Sequence, residues 1–97
     1  MDYLEPWFAV DDTAWVDELN RELSPGHALH GMKLAARARR QDCDDVLYEF
    51  LDGSGRLAKV HLTYRKETDP SRPLTTVYAN GGQWQQAMAA DHEAFSA

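Results

Sequence analysis

The sequence predicts an α+β domain: an N-terminal helix, a three- to four-stranded antiparallel meander sheet and a C-terminal helix, with both helices on one sheet face. Three observations predict it. Apolar residues recur at helical spacing near the two ends of the chain, strand-like alternation fills the middle, and the connections between strand segments are too short for parallel crossovers.

Asp11, Asp12 and Thr13 are competent N-caps, and Trp15, Val16, Leu19 and Leu23 follow on one helical face, so a helix is expected over 13–23. Acids near its start suit the helix dipole. Ser24-Pro25-Gly26 stops it, because proline disfavours helical geometry in the residue before it. From Met32 to Ala38 the chain alternates, with Met32, Leu34, Ala36 and Ala38 on one side and Lys33, Ala35 and Arg37 on the other, which marks a first strand. Val46-Leu47-Tyr48-Glu49-Phe50-Leu51 suits a pleated surface and is the second. Asp52-Gly53-Ser54-Gly55 is turn chemistry that joins it in a hairpin to a third strand over 57–65, where Ala58, Val60, Leu62 and Tyr64 share one face.

A polar loop with Pro70 and Pro73 leads to a fourth strand over 74–78. Asn80-Gly81-Gly82 ends that strand, and Trp84, Ala87, Met88 and Phe95 then recur near helical spacing. The two helices are expected to cover the sheet with Trp15, Leu19, Leu23, Trp84 and Met88. Trp7-Phe8, following Pro6, reads as a staple onto the core, with an exposed anchor for another protein as the alternative.

Ninety-seven residues, 43% hydrophobic and 27% charged, suit a single domain over 1–97. No apolar run approaches the roughly 20 residues of a membrane span. The acidic, proline-broken start Met1-Asp2-Tyr3-Leu4-Glu5-Pro6 lacks the form of a secretory signal, so a cytoplasmic location is expected. Cys43 is the only cysteine, which excludes an intramolecular disulfide and any cysteine-rich zinc site within one chain.

Ten Lys and Arg against 16 Asp and Glu leave a formal charge of -6, which argues against binding nucleic acid through net charge. The charge is unevenly placed. Residues 1–26 hold seven acids against Arg21 alone, residues 27–66 eight bases against five acids, and residues 67–97 four acids against Arg72. A basic middle is flanked by acidic ends. On the predicted sheet Lys33, Arg37, Arg39, Lys59, His61 and Arg65 project outward as a basic face, while Tyr48, Phe50 and Tyr64 point inward, away from any base they would have to stack on.

His27 and His30 lie three apart between glycines, and His61, Cys43, Asp42, Asp44 and Asp45 are candidate partners for a ligand site. No established zinc or iron spacing links them, and there is no Gly-rich phosphate loop, nucleophile elbow or His-Glu-x-x-His helix. No metal or cofactor is therefore assigned. The carboxylates around Cys43 disfavour its thiolate, so that cysteine is expected to pack rather than react.

Glu18-Leu19-Asn20-Arg21-Glu22-Leu23-Ser24-Pro25-Gly26-His27, Arg39-Arg40-Gln41-Asp42-Cys43-Asp44-Asp45-Val46-Leu47 and Val60-His61-Leu62-Thr63 together resemble a family of small, uncharacterised bacterial proteins. The resemblance covers about residues 15 to 85. It implies a bacterial, cytoplasmic, single-domain protein and marks His27, Asp42, Asp44, Asp45 and His61 as shared positions, without a catalytic role.

The function expected from these features is protein binding by stoichiometric docking, as an immunity or inhibitor protein acts. The alternatives are a small enzyme or ligand-binding protein built on His27, His61 and the Asp42–Asp45 cluster, and nucleic-acid binding through the basic sheet face. The expected partner is another protein, with no membrane involved, and the chain itself a monomer or a homodimer formed through an uncovered edge strand.

Overall fold

In the computed structural model, which describes residues 2–97, the strand-forming middle of the chain builds one antiparallel sheet. In chain order the elements are β1 (Trp7–Ala9), α1 (Ala14–Glu22), β2 (Leu34–Arg40), β3 (Asp45–Phe50), β4 (Leu57–His61), β5 (Thr75–Tyr78) and α2 (Gly81–Ser96). The sheet order is β1-β2-β3-β4-β5, every neighbouring pair antiparallel. The α+β class and the meander are as expected, with one strand more.

Local chemistry accounts for the boundaries. The Asp12 carboxylate accepts from the Ala14 N–H at 2.8 Å at the start of α1. Between β3 and β4, Asp52 accepts from Ser54 N–H, and Gly53 and Gly55 take φ of +78° and +77°, which side chains strongly disfavour. Asn80 caps α2 by accepting from Gln83 N–H, and the Gln83 side chain accepts in return from Ala79 N–H.

The helices lie on opposite faces of the sheet, not on one. Val46, Tyr48 and Phe50 of β3 and Ala58 and Val60 of β4 pack with Trp15 and Leu19 of α1 and with Leu23 just after it. The alternate positions Leu47 and Leu57 pack with Trp84 and Met88 of α2. A strand wet on one side alternates apolar with polar, whereas one covered on both sides reads as a continuous apolar run. Val46-Leu47-Tyr48 is such a run.

A register shift between Ala36 and Ala38 moves the strand's facing by one residue. Ala36 therefore joins the α1 side and Ala38 the α2 side, although simple alternation puts them together. The fifth strand is Trp7–Ala9. Its Trp7 is 2% exposed and packs edge-on against Trp84 at 4.8 Å, while Phe8 is half exposed, so this segment is both a staple and a sheet edge.

The strand expected over 57–65 ends at His61 because a buried carboxylate takes hold of the backbone beyond it. Glu22, at the end of α1, is 0% exposed. Its carboxyl oxygens accept from Thr63 N–H at 2.8 Å, Thr63 Oγ1 at 3.1 Å and Tyr64 N–H at 2.9 Å, and its carbonyl accepts from Glu67 N–H. Tyr64 turns with φ +58°, which breaks the extended path.

Burial pushes the Glu22 carboxyl above the usual glutamate range and its hydrogen-bonded neighbour Glu18 adds to this, against the pull of the Thr63 and Tyr64 donors. Glu18 moves the other way, held down by Glu22 and then by Arg21. A raised folded-state value means that Glu22 contributes stability below the ordinary value of about 4.3, lost as pH rises through the folded-state value.

Chemical denaturation across pH should therefore show a fall in stability as pH rises above that range, and Glu22→Gln should flatten this segment of the profile. Glu22→Ala, which strands the buried Thr63 and Tyr64 donors, should cost about 2–4 kcal/mol at about pH 4, and less as pH rises through the Glu22 folded-state value.

Candidate functional site

On the α2 side of the sheet, Trp84 and Met88 cover Leu47, Leu57 and Tyr78. The corner made by the start of β3, the end of β4 and the start of β5 lies open. A cleft of about 530 Å3 forms there, lined by Asp45, Lys59, His61, Leu74, Thr75 and Thr76.

Sheet register accounts for its chemistry. Leu62 N–H donates to Asp44 carbonyl, so the next opposed pair, Asp45 and His61, exchanges no backbone bonds and its side chains approach closely. His61 Nδ1 lies 2.7 Å from Asp45 Oδ1. The His61 side chain is 52% exposed and Asp45 only 13%, so the carboxylate sits behind the ring and occupies its Nδ1 side. Nε2 is left for a bound group. Lys59 stands one position along the same face, opposite Thr76 and beside Tyr78. Burial raises the Tyr78 hydroxyl above its usual value while Lys59 draws it down.

Of the six residues His27, His30, Asp42, Asp44, Asp45 and His61, the structure brings together Asp45 and His61. His27 is buried on the other face. Its Nδ1 accepts from Leu29 N–H at 3.0 Å, so Nε2 carries the proton and donates to the Pro73 carbonyl at 2.9 Å. His30 is exposed on the loop before β2. Asp42 clasps Arg40 through two contacts of 2.8 Å, which hold its carboxyl below the usual range. Asp44 contributes its carbonyl to Leu62. Among the described residues no three His, Cys, Asp or Glu side chains converge as metal ligands. Burial pushes the Cys43 thiol up, as expected of a packing cysteine.

The basic face expected from Lys33, Arg37, Arg39, Lys59 and Arg65 does not form as one surface. The shift in β2 turns Arg39 to the α1 side, where its guanidinium stacks over Trp15 at 4.4 Å. Arg37 is paired with Glu49 at 2.7 Å, and Arg65 lies past β4, paired with Glu67 at 3.3 Å. Lys33 is exposed ahead of β2, and Lys59 alone of the five lines the cleft.

Leu74, Thr75 and Thr76 reach the site through strand pairing and Glu22 positions it through the backbone; sequence reading singled out none of these four for function. A candidate signal for the first three was the register of β5 on β4, which needs the loop between them to be known.

Comparison of the chain with protein-family models, curated proteins and solved structures finds no match.

His27 ties the loop after α1 to the loop before β5, so His27→Ala should cost about 1–3 kcal/mol by leaving Leu29 N–H and the Pro73 carbonyl unpaired. Thermal unfolding measures the loss. Binding at the cleft, measured well below the melting temperature, should persist and weaken only through the loosened loop before β5, whereas a ligand held by His27 itself would be lost.

Proposed function

We propose that the protein is a protein-binding module that acts by stoichiometric docking, as an immunity or inhibitor protein does, with the His61 cleft as its recognition surface. The observation that carries this reading is the composition of the open corner. Lys59, half-buried beside Tyr78, and His61 present nitrogen donors beside Leu74, which is 53% exposed. A shallow surface that mixes the Lys59 cation and an imidazole donor with exposed apolar area suits an acidic segment of a partner protein, where complementary charge sets approach and register. The bacterial, cytoplasmic setting suggested by the motif resemblance fits such a role.

A second reading rests on the 2.7 Å contact between His61 and Asp45. An imidazole held at Nδ1 by a carboxylate can exchange protons through Nε2, so a small ligand or substrate in the same cleft would meet a positioned acid–base group. Nucleic-acid binding has less support, with Arg37 and Arg65 paired to acids and Arg39 on the other face.

Affinity capture from the source organism, followed by titration of the captured protein, tests the first reading. Lys59→Glu should weaken binding by about 10- to 100-fold in a variant that circular dichroism shows to be folded, and Asp44→Asn should leave affinity within about threefold. A small molecule that raises the melting temperature of wild type but not of His61→Ala, with no protein captured, would favour the second reading over the first.

A further inference from the structure

The free edge of the sheet at β5 is bounded with unusual sharpness. His61 N–H donates to Leu74 carbonyl, and antiparallel ladders alternate between pairs that exchange backbone bonds and pairs that do not. Leu74, Thr76 and Tyr78 therefore turn their backbone groups toward β4, and Thr75 and Val77 turn theirs outward. On one side the edge is closed by Pro73, which has no N–H and whose carbonyl accepts from His27 and Thr75 Oγ1. On the other it is closed at Ala79, whose N–H donates to Gln83. Two N–H and two carbonyl groups remain.

β5 is four residues long and carries no charge, proline or bulge to guard this edge. All of Thr75, Thr76, Val77 and Tyr78 are strand formers, and residues 73–90, the whole stretch between Arg72 and Asp91, carry no charged side chain in a chain that is 27% charged. A two-fold seam sets one short segment against a copy of itself, and a segment without charge has no like charges to bring together. At the opposite edge Trp7 N–H is already used by the Leu4 carbonyl, and β1 is three residues long.

We propose that β5 pairs antiparallel with β5 of a second copy of this chain about a two-fold axis at Thr76, giving a homodimer with a continuous ten-stranded sheet. In that register Thr75 of each copy faces Val77 of the other, and all four outward groups of each strand are bonded. A register one pair toward Pro73 meets a residue without an N–H, and one pair toward Ala79 meets a donor already engaged. The two-fold axis buries Val77, 46% exposed in one copy, and sets the two His61 clefts on the same sheet face. This dimer does not rest on the docking assigned to the cleft.

Sedimentation across a concentration series should show the mass rising from 11.0 kDa to twice that value. Val77→Pro, which deletes an outward donor and spares the bonds to β4, should hold the monomer mass. The register is read in a Cys43→Ser background. Thr76→Cys should form a disulfide-linked dimer under diamide at least tenfold faster than Thr75→Cys or Val77→Cys, because an opposed pair on the axis brings its Cα atoms to about 4.5 Å, within disulfide reach. If circular dichroism shows that Val77→Pro does not fold, the cysteine series decides. A wild-type chain that stays at the monomer mass up to about millimolar concentration overturns the proposal and leaves the edge to a strand of a different protein. Fastest linking at position 75 or 77, or a dimer that survives in folded Val77→Pro, overturns it as well.

Discussion

A carboxyl group at the end of α1 holds the backbone where β4 ends, and the open corner of the sheet depends on that hold. Glu22 is fully buried, and it meets backbone donors of Thr63 and Tyr64 rather than a cation. A buried acid is tolerable only when its oxygens are bonded. Those bonds pull the chain out of the sheet after His61, so the loop to β5 leaves from a defined point. The His27 contact with the Pro73 carbonyl fixes the other end of the same loop. Between these two ties β5 is delivered onto β4 in the register that sets Thr76 opposite Lys59 and leaves the Asp45–His61 pair uncovered.

The second organising constraint is that one sheet is buried on both faces. The apolar positions of β3 serve two cores at once, one against α1 and one against α2 and the N-terminal strand. The shift in β2 reconciles this with a short strand, since it lets Ala36 serve one side and Ala38 the other. Arg39 is redirected by the same shift, and stacks on Trp15 instead of joining Lys59. Electrostatic asymmetry thus survives in altered form: four of the eight central bases, Arg37, Arg40, Arg56 and Arg65, are matched locally to Glu49, Asp42, Asp52 and Glu67, and Lys59 stands beside the Asp45–His61 pair.

Short-range signals were readable in the amino-acid order. Proline and glycine after Ser24, the Asp52–Gly55 turn and the Asn80 cap each act within a few residues, and each stands where expected. Long-range features were not. Which face each helix covers depends on whether Leu47 and Leu57 are buried, and alternation alone does not decide that for a run apolar on successive positions. The β2 shift has no glycine to mark it. Glu22 looks like a solvent-side acid on a helix with Glu18 and Arg21, and only the approach of residue 63, 41 positions away, makes it a core group. For the site, Asp45 and His61 were singled out within a wider set; their pairing follows from strand register, while His27 was drawn into the same set by spacing although it lies across the sheet.

Amide hydrogen exchange at Thr63 and Tyr64 tests most directly whether the Glu22 carboxyl organises this part of the molecule. Both amides should exchange as slowly as those of Val46 and Val60 at the centre of the sheet, and this protection should be lost selectively in folded Glu22→Ala. Exchange of Thr63 and Tyr64 in the wild-type protein at the rate of an exposed loop amide such as Lys66 would contradict the account.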